Sequence, residues 1–497
     1  MAPTGDAAVI ESYTLQAGEG HLLVGPYSRF QWHHPGPIYF YALSPFYAAG
    51  GHRTAGLNAA AVAINLTMLA ASVAIAAASG GPILAAAIAS ASALYVFRAP
   101  DLLTSAWNPH IVALPLLATA LLCAAAAAGR VWLLPLAALV ASFVAQTDIG
   151  VLPAAVLLGV ASFGAMSSAA FRDRALRARY AAVTCATVAV AAVAWSLPLV
   201  EQATHSPGNL AALWTFFAGG RDGALQPLRA AFPAWSVMLS GLVRPDFYLA
   251  HGWVLRRSRP GWAEAWAVAQ MVLLLCSAGL SIRAGRRFQL YLSAFLFAAS
   301  FLALWSVTRI AGDIMDHEIF WISALGVLNT AVAADAIVSA LWPRGAMSSR
   351  AAGVACVLLL AAPAAAGLAR LISISSESRT PSIETSAIEG VAQDVQAYLH
   401  HEGIERPLVA IDQGSWGLAA GVLLQLQKAG VAYAVDDDWL PMFTESARAT
   451  GHERVALSIS GAAHHVMLGG QPGTAAVAER DPVFADRVPV DTVFHRR

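Results

Sequence analysis

The amino-terminal part of the chain concentrates side chains that suit the chemistry of sugars and phosphates. The stretches 5–11, 25–30 and 32–41 supply two carboxylates, one arginine, two histidines and several aromatic rings: Asp6, Glu11, Arg29, Trp32, His33, His34 and Tyr39. A carboxylate can take a proton from an attacking hydroxyl, an arginine pairs with phosphate, and aromatic rings stack on sugars. The structural alternative is an aromatic belt at a membrane interface, with solvated charges.

The composition predicts what must position these residues. Of the 497 residues, 58% are hydrophobic and 12% are charged, whereas about a quarter of an ordinary soluble chain is charged. A soluble enzyme of this length needs a polar surface that this composition does not supply, so we expect a polytopic α-helical membrane protein. The formal net charge is zero. No basic field attracts nucleic acid, and we expect no nucleic-acid partner.

A spanning helix needs about 20 apolar residues. About ten tracts are candidate spans: 55–79, 82–97, 109–128, 131–148, 150–168, 179–199, 262–283, 288–310, 317–341 and 350–373. Arginine-rich short loops, chiefly 172–179 and 283–287, mark the cytoplasmic side. The chain then divides into an extracytoplasmic first loop with interfacial helices (1–54), a transmembrane domain (55–373) and an extracytoplasmic tail (374–497). A polar first segment is difficult to translocate. Either a spanning helix is missing before it or the first downstream helix draws it across, and we favour the missing helix.

The tail has the composition of an ordinary soluble protein. Pro407–Asp412 and Val431–Val435 have the apolar pattern of buried strands, and Trp416–Ala429 between them has that of a helix. A further helix at 384–402 and a strand at Arg454–Ile459 flank this unit. The order predicts a parallel α/β domain. It lacks a G-x-G-x-x-G loop, so nucleotide binding is not predicted.

The first loop also resembles a known group. An acidic residue followed by His-Pro-x-Pro-x-Tyr at 34–39, leading into a long apolar helix, is similar to the GT-C superfamily of integral-membrane glycosyltransferases, which use polyprenyl-phosphate sugars. The stretches 107–110, 146–150 and 206–210 resemble uncharacterised actinobacterial members. The resemblance implies an acidic first loop, a multi-helix membrane core and an extracytoplasmic carboxy-terminal domain.

The resemblance implies roles for single residues. Asp6 matches the first-loop acid that acts as catalytic base. Glu11 is the other candidate, and at five positions' separation the two point apart on a helix. Asp101 matches a second acid, which in some members holds a divalent cation together with the first, here Mg²⁺ or Mn²⁺; a helix cap is its structural alternative. Asp148, at a helix–helix turn, and Arg309, which could bind a lipid phosphate or join a surface ion network, are further candidates.

These observations predict a multi-pass enzyme of the inner or plasma membrane. It would transfer a sugar from a polyprenyl-phosphate donor to an envelope glycan, lipid or protein on the outer side. Substrate contacts are expected from Arg29, Trp32, His33, His34, Tyr39, Asp101, Asp148 and Arg309. One alternative is a lipid or polysaccharide transporter, which predicts charges along a path or paired helix breaks. The other is a non-catalytic scaffold for envelope assembly.

Overall fold

The fold is built mainly from helices, with one small sheet near the carboxyl terminus. The computed structural model describes residues 2–218, 225–243, 261–341, 349–377, 383–453, 455–461, 475–480 and 490–496. The helices of the first half are α1 (Gly5–Gly18), α2 (Ile38–Ala49), α3 (Thr54–Gly80), α4 (Pro82–Arg98), α5 (Asn108–Ile111), α6 (Ala113–Ala127), α7 (Leu134–Thr147), α8 (Leu152–Arg172), α9 (Arg177–Ala194), α10 (Ser196–Thr204), α11 (Asn209–Ala218) and α12 (Leu228–Leu239). The remaining helices are α13 (Gly261–Arg283), α14 (Arg287–Thr308), α15 (Asp316–Ile319), α16 (Ile322–Leu341), α17 (Ser349–Glu377), α18 (Ile383–Glu402), α19 (Trp416–Lys428) and α20 (Leu440–Phe443).

Among the described residues, eight helical segments have the length and apolarity to cross a membrane: Thr54–Gly80, Asn108–Ala127, Leu152–Arg172, Arg174–Ala194, Gly261–Arg283, Arg287–Thr308, Ile322–Leu341 and Arg350–Ile374. Two further predicted spans, 82–97 and 131–148, form the shorter apolar helices Pro82–Arg98 and Val131–Thr147. A helix of 17 residues such as Pro82–Arg98 is about 26 Å long, slightly less than a bilayer core. The prediction of a polytopic helical membrane protein is therefore confirmed.

How deeply each helix is buried in the bundle depends on its side chains. The α6 helix consists almost entirely of alanine and leucine, and all but one of its residues are buried. Small side chains allow neighbouring helices to approach closely, so α6 occupies the centre of the bundle. Outer helices such as α8 and α9 instead expose large apolar side chains, including Val160 and Val193. A face of this kind is suited to lipid rather than water.

Because successive spans run in opposite directions, the loops fall into two groups. Residues 98–108, 148–151 and 309–316 lie at the same end of the bundle as the first loop, which we call the first-loop end. The turns at 80–82 and 284–287 lie at the opposite end. The α1 helix packs against both α2 and α19, so it lies between the helix bundle and the tail.

The tail contains a five-stranded sheet of order β2-β1-β3-β5-β4. Its strands are β1 (Leu408–Ile411), β2 (Ala434–Val435), β3 (Val455–Gly461), β4 (Ala475–Arg480) and β5 (Val490–Arg496). The first three are parallel, with Leu408 opposite Ala434 on one side and Ala456 on the other. The predicted strand–helix–strand order is present, with α19 as the crossover. The two last strands pair antiparallel and extend the sheet beyond the prediction.

Candidate active site

A cavity of about 680 Å³ opens at the first-loop end of the bundle. Its wall combines α1, the loop 26–35, the turn after α7, helix α11 and the carboxyl end of α14. Six of the residues predicted as site residues line it: Asp6, Arg29, Trp32, His34, Asp148 and Arg309. Four of them belong to the first loop. Asp148 and Arg309 are far from it in sequence and meet it because every second loop of an alternating bundle reaches the same end.

Asp6 lies in the first turn of α1 and faces the cavity. Tyr27 Oη donates a hydrogen bond to Asp6 Oδ1. Burial and the adjacent carboxylate raise the pKa of Tyr27 well above its usual range, so the phenol stays protonated and keeps donating. Asp6 Oδ2 accepts no hydrogen bond from any described residue. This second oxygen is therefore the one that can accept a proton from a substrate.

The structure places Glu11 on the other side of α1, away from the cavity. Its side chain is fully buried and accepts hydrogen bonds from Tyr47 Oη at 2.9 Å and Thr54 Oγ1 at 2.7 Å. Lys428 Nζ forms an ion pair with the same carboxylate. With three donors around it and no exposure, Glu11 has the surroundings of a structural acid. Of the two predicted bases, only Asp6 lines the cavity.

Arg29 crosses the cavity wall to pair with an acid in the short helix α15. Its Nη2 lies 2.8 Å from Glu318 Oε1. Burial raises the pKa of Glu318, whereas Arg29 and the Met315 backbone N–H oppose that shift. His317 lies between charges of both signs: burial lowers its pKa, Asp6 raises it, and Arg29 lowers it further. Glu318 and His317 thus line the cavity, although the sequence indicated them only as members of a charged cluster between two spans.

His34 and Asp148 meet at the turn between α7 and α8. The backbone N–H of Ile149 donates to His34 Nδ1 at 2.8 Å. Burial lowers the pKa of His34 to about 3, with His33 and His317 adding to the effect. The neutral ring therefore carries its proton on Nε2, because Nδ1 acts as an acceptor. Asp148 Oδ1 accepts from the Gly150 N–H at 2.8 Å, but burial still raises its pKa to about 7.

Aromatic rings form one side of the cavity. Trp32 contacts Phe30, Phe216 and Phe217 with ring centroids 5.4 to 6.2 Å apart. The indole Nε1–H of Trp32 is buried and has no hydrogen-bond partner among the described residues. A buried donor without a partner costs free energy unless a ligand or water accepts from it. We therefore interpret this N–H as a donor reserved for a bound molecule.

Arg309 follows the carboxyl end of α14 at the edge of the aromatic wall. Its guanidinium carbon lies 5.7 Å from the centre of the Trp305 ring, and Nη2 is 3.4 Å from the backbone oxygen of Phe217. These contacts hold a positive charge beside an apolar surface. The combination suits a phosphate attached to a hydrocarbon chain.

Three predicted site residues lie behind the lining. His33 Nε2 is 3.3 Å from the hydroxyl of Tyr13, which itself lines the cavity, and burial lowers the pKa of His33 to about 4. Tyr39 is completely buried and donates to the backbone oxygen of Ala106.

Asp101 is also outside the lining and pairs with Arg370 of α17 at 3.0 Å. The structure therefore does not bring Asp101 and Asp6 to one cavity as a pair of metal ligands. In the part of the chain that the structure describes, no three His, Cys, Asp or Glu side chains are arranged to hold a metal ion. Asp6 and Asp101 therefore do not fit a shared cation site.

Sequence reasoning missed Tyr27, His317 and Glu318, although all three line the cavity. Tyr27 lies inside the stretch 25–30, and its proximity to Asp6 depends on how the loop folds back over α1. His317 and Glu318 belong to a cluster of charged residues within 309–318, for which a surface ion network is the alternative to a binding site. The pairing of Glu318 with Arg29 joins residues almost 290 positions apart, and nothing in local spacing indicates it.

Comparison with known proteins gives a likeness of fold. No family model matches the chain, and no curated protein matches its sequence. The solved structure of ArnT from Cupriavidus metallidurans bound to undecaprenyl phosphate is similar, with a TM-score of 0.54 at 12% identity, covering 99% of this chain and 94% of that one. The apo structure of the same protein gives 0.49 at 14% identity. The helix bundle described above is therefore ArnT-like in fold along nearly its whole length.

Proposed function

We propose that this protein is a membrane glycosyltransferase of GT-C type, which transfers a sugar from a polyprenyl-phosphate donor to a hydroxyl acceptor. The observation that carries the proposal is Asp6, a carboxylate with one open oxygen, in a cavity whose wall combines aromatic rings with arginine. The fold likeness supports it, because the similar ArnT structure holds undecaprenyl phosphate. The first-loop resemblance to GT-C enzymes supports it independently.

We assign the polyprenyl-phosphate sugar to the side of the cavity that carries Arg309. Phe216, Phe217 and Trp305 give this side an apolar surface for the first isoprene units, and the guanidinium faces the phosphate. Arginine suits this role because its planar group can donate two parallel hydrogen bonds to phosphate oxygens. The Trp32 N–H has no partner among the described residues. It donates a hydrogen bond to a sugar hydroxyl or to a phosphate oxygen.

The transfer step uses Asp6 as the general base. The acceptor hydroxyl gives its proton to Asp6 Oδ2 while its oxygen forms a bond to the anomeric carbon of the sugar. The bond between that carbon and the phosphate oxygen breaks, and the electron pair leaves with the polyprenyl phosphate. Tyr27 holds the other carboxylate oxygen in place. Arg309 stabilises the negative charge that develops on the leaving phosphate.

We assign the first-loop end and the tail to the extracytoplasmic side of the inner or plasma membrane, because the arginine-rich short loops lie at the opposite end. The acceptor is a glycan, lipid or protein of the cell envelope. The tail lies directly beside α1, which gives it a position from which to contact an acceptor.

The test measures release of polyprenyl phosphate from synthetic polyprenyl-phosphate sugars by the full chain in proteoliposomes that also contain envelope glycans and lipids as hydroxyl acceptors. Asp6→Asn should lower the rate by about 10² to 10⁴, the usual contribution of a positioned base. Glu19→Gln is the matched control, since Glu19 is an exposed acid at the end of the same helix. A transporter or a scaffold would release no polyprenyl phosphate. Equal rates in the wild type and Asp6→Asn would refute the assigned base.

A further inference from the structure

A second cavity, of about 500 Å³, lies at the opposite end of the bundle from the candidate active site. It is bounded by the carboxyl end of α3, the carboxyl end of α6, and the turn that leads into α14. The α14 helix has 22 residues and is therefore about 33 Å long. It runs from this second cavity to Arg309, so the two cavities are separated by about the thickness of a bilayer core.

The second cavity is positively charged. Three arginines line it, and none of its described lining residues is acidic: Arg130, Arg286 and Arg287. Arg130 Nη2 donates to the backbone oxygen of Ala78, and Arg286 lies 3.8 Å from Asp335. Asp335 therefore balances part of the charge of one arginine. Arg287 is exposed at the cavity, and the net character of the lining remains cationic.

Residues with uncharged hydrogen-bond donors also border this cavity. The hydroxyl Oγ of Ser79 is buried and has no hydrogen-bond partner among the residues described. The α14 helix begins here without a side-chain cap and without an acidic residue in its first turn. Its first backbone N–H groups therefore lack intrahelical acceptors and carry the positive end of the helix dipole. Together these groups have the donor set of an anion site.

We infer that the second cavity binds a phosphate group, supplied by an anionic phospholipid headgroup or by free phosphate. A phosphate offers acceptors to the Ser79 hydroxyl, to the amides at the start of α14 and to Arg287 at once. The cavity lies where the arginine-rich loops predict the cytoplasmic membrane surface, and headgroup phosphates are concentrated there. This inference does not depend on the proposed transferase activity.

The test uses the full chain in phosphatidylcholine nanodiscs and measures its thermal unfolding. One arm adds increasing fractions of dioleoyl-phosphatidylglycerol, and the other adds inorganic phosphate to the buffer. Binding to the folded state raises the unfolding temperature. A rise with phosphatidylglycerol alone identifies the headgroup as ligand, and a rise with inorganic phosphate identifies the free anion.

The variants Arg287→Gln and Ser79→Ala locate the site. Loss of one charge-assisted hydrogen bond should weaken the apparent affinity for the effective ligand about tenfold in Arg287→Gln. Ser79→Ala should weaken it less and should fold normally, because it removes a hydroxyl that has no partner among the described residues. Arg174→Gln is the control, an exposed arginine in another loop at the same end. No rise with either ligand, or an equal rise in all three variants, would overturn the inference.

Discussion

Lys428, the single lysine of the chain, forms an ion pair with Glu11, whose side chain is completely buried. The pair joins the end of α19 in the tail to the middle of α1. Ser12 and Gln427 add a hydrogen bond of 2.6 Å between the same two helices. Since α1 also carries Asp6, the tail and the candidate base are mechanically connected through one helix.

Further hydrogen bonds hold other turns of α1 against the tail. The Tyr13 hydroxyl donates to the Pro441 backbone oxygen at 3.0 Å, and the Thr444 hydroxyl donates to Gln16 Oε1 at 3.0 Å. These contacts fix the orientation of α1, whose residues Asp6 and Tyr13 both line the cavity. We therefore treat Glu11 as a residue that positions the helix, and Asp6 as the residue that meets the substrate.

The first prediction concerns the stability of this connection. In Lys428→Ala a fully buried carboxylate loses its charged partner, and the free energy of unfolding should fall by about 3 to 5 kcal/mol. Glu11→Gln should cost less, because the amide can still engage Tyr47 and Thr54. Thermal unfolding in detergent checks both. Lys428→Arg is the control that preserves the charge, and a stability loss as large as that of Lys428→Ala would contradict the role assigned to the ion pair.

The second prediction follows from the buried carboxyl of Asp148, which lies in a turn between two spans. Its pKa in the folded protein is raised to about 7 by burial, above the value of about 4 expected when unfolded. Between pH 4 and 7 the folded state therefore binds more protons, so stability falls as the pH rises, by up to about 1.4 kcal/mol per pH unit.

The measurement is the unfolding temperature of the wild type and Asp148→Asn from pH 5 to pH 8. The wild type should be more stable at pH 5 than at pH 8. In Asp148→Asn the difference should shrink, since the amide does not titrate. An unchanged pH dependence in the variant would show that other groups cause it.

The third prediction concerns the Trp32 N–H, which is buried without a described partner. Trp32→Phe keeps an aromatic ring beside Phe216 and Phe217. It removes the indole N–H and makes the aromatic side chain smaller. If the polyprenyl-phosphate sugar accepts a hydrogen bond from this N–H, the variant should bind that sugar substrate about tenfold more weakly. Its unfolding temperature should change little. An unaltered KM for polyprenyl-phosphate sugars would exclude this contact.

Much of the fold could be predicted because the signals are local. Apolar tracts of about 20 residues predicted the spans, and strands with a helix between them predicted the tail. Helical spacing also indicated that Asp6 and Glu11 face apart, as they do. These inferences need only the period of a helix and the length of a bilayer.

The site was harder to predict from the sequence than the fold, because its contacts join residues that are far apart in the chain. Arg29 pairs with Glu318, and Glu11 with Lys428, more than 280 positions apart in each case. Such pairs depend on which loops reach the same end of the bundle and on how the tail docks. Local spacing therefore identified candidate acids, but it could not separate Asp6 at the cavity from Asp101, which pairs with Arg370.

The last prediction assigns the donor phosphate to Arg309. In Arg309→Gln the charge beside the aromatic wall is lost, so the KM for a polyprenyl-phosphate sugar should rise about 10- to 100-fold. Arg309→Lys should restore part of the affinity, because the ammonium keeps the charge without the planar pair of donors. Arg229→Gln is the matched control, an exposed arginine in α12 that does not line the cavity. If Arg309→Gln lowered kcat at unchanged KM, the arginine would act on the leaving phosphate only in the transition state rather than in donor binding.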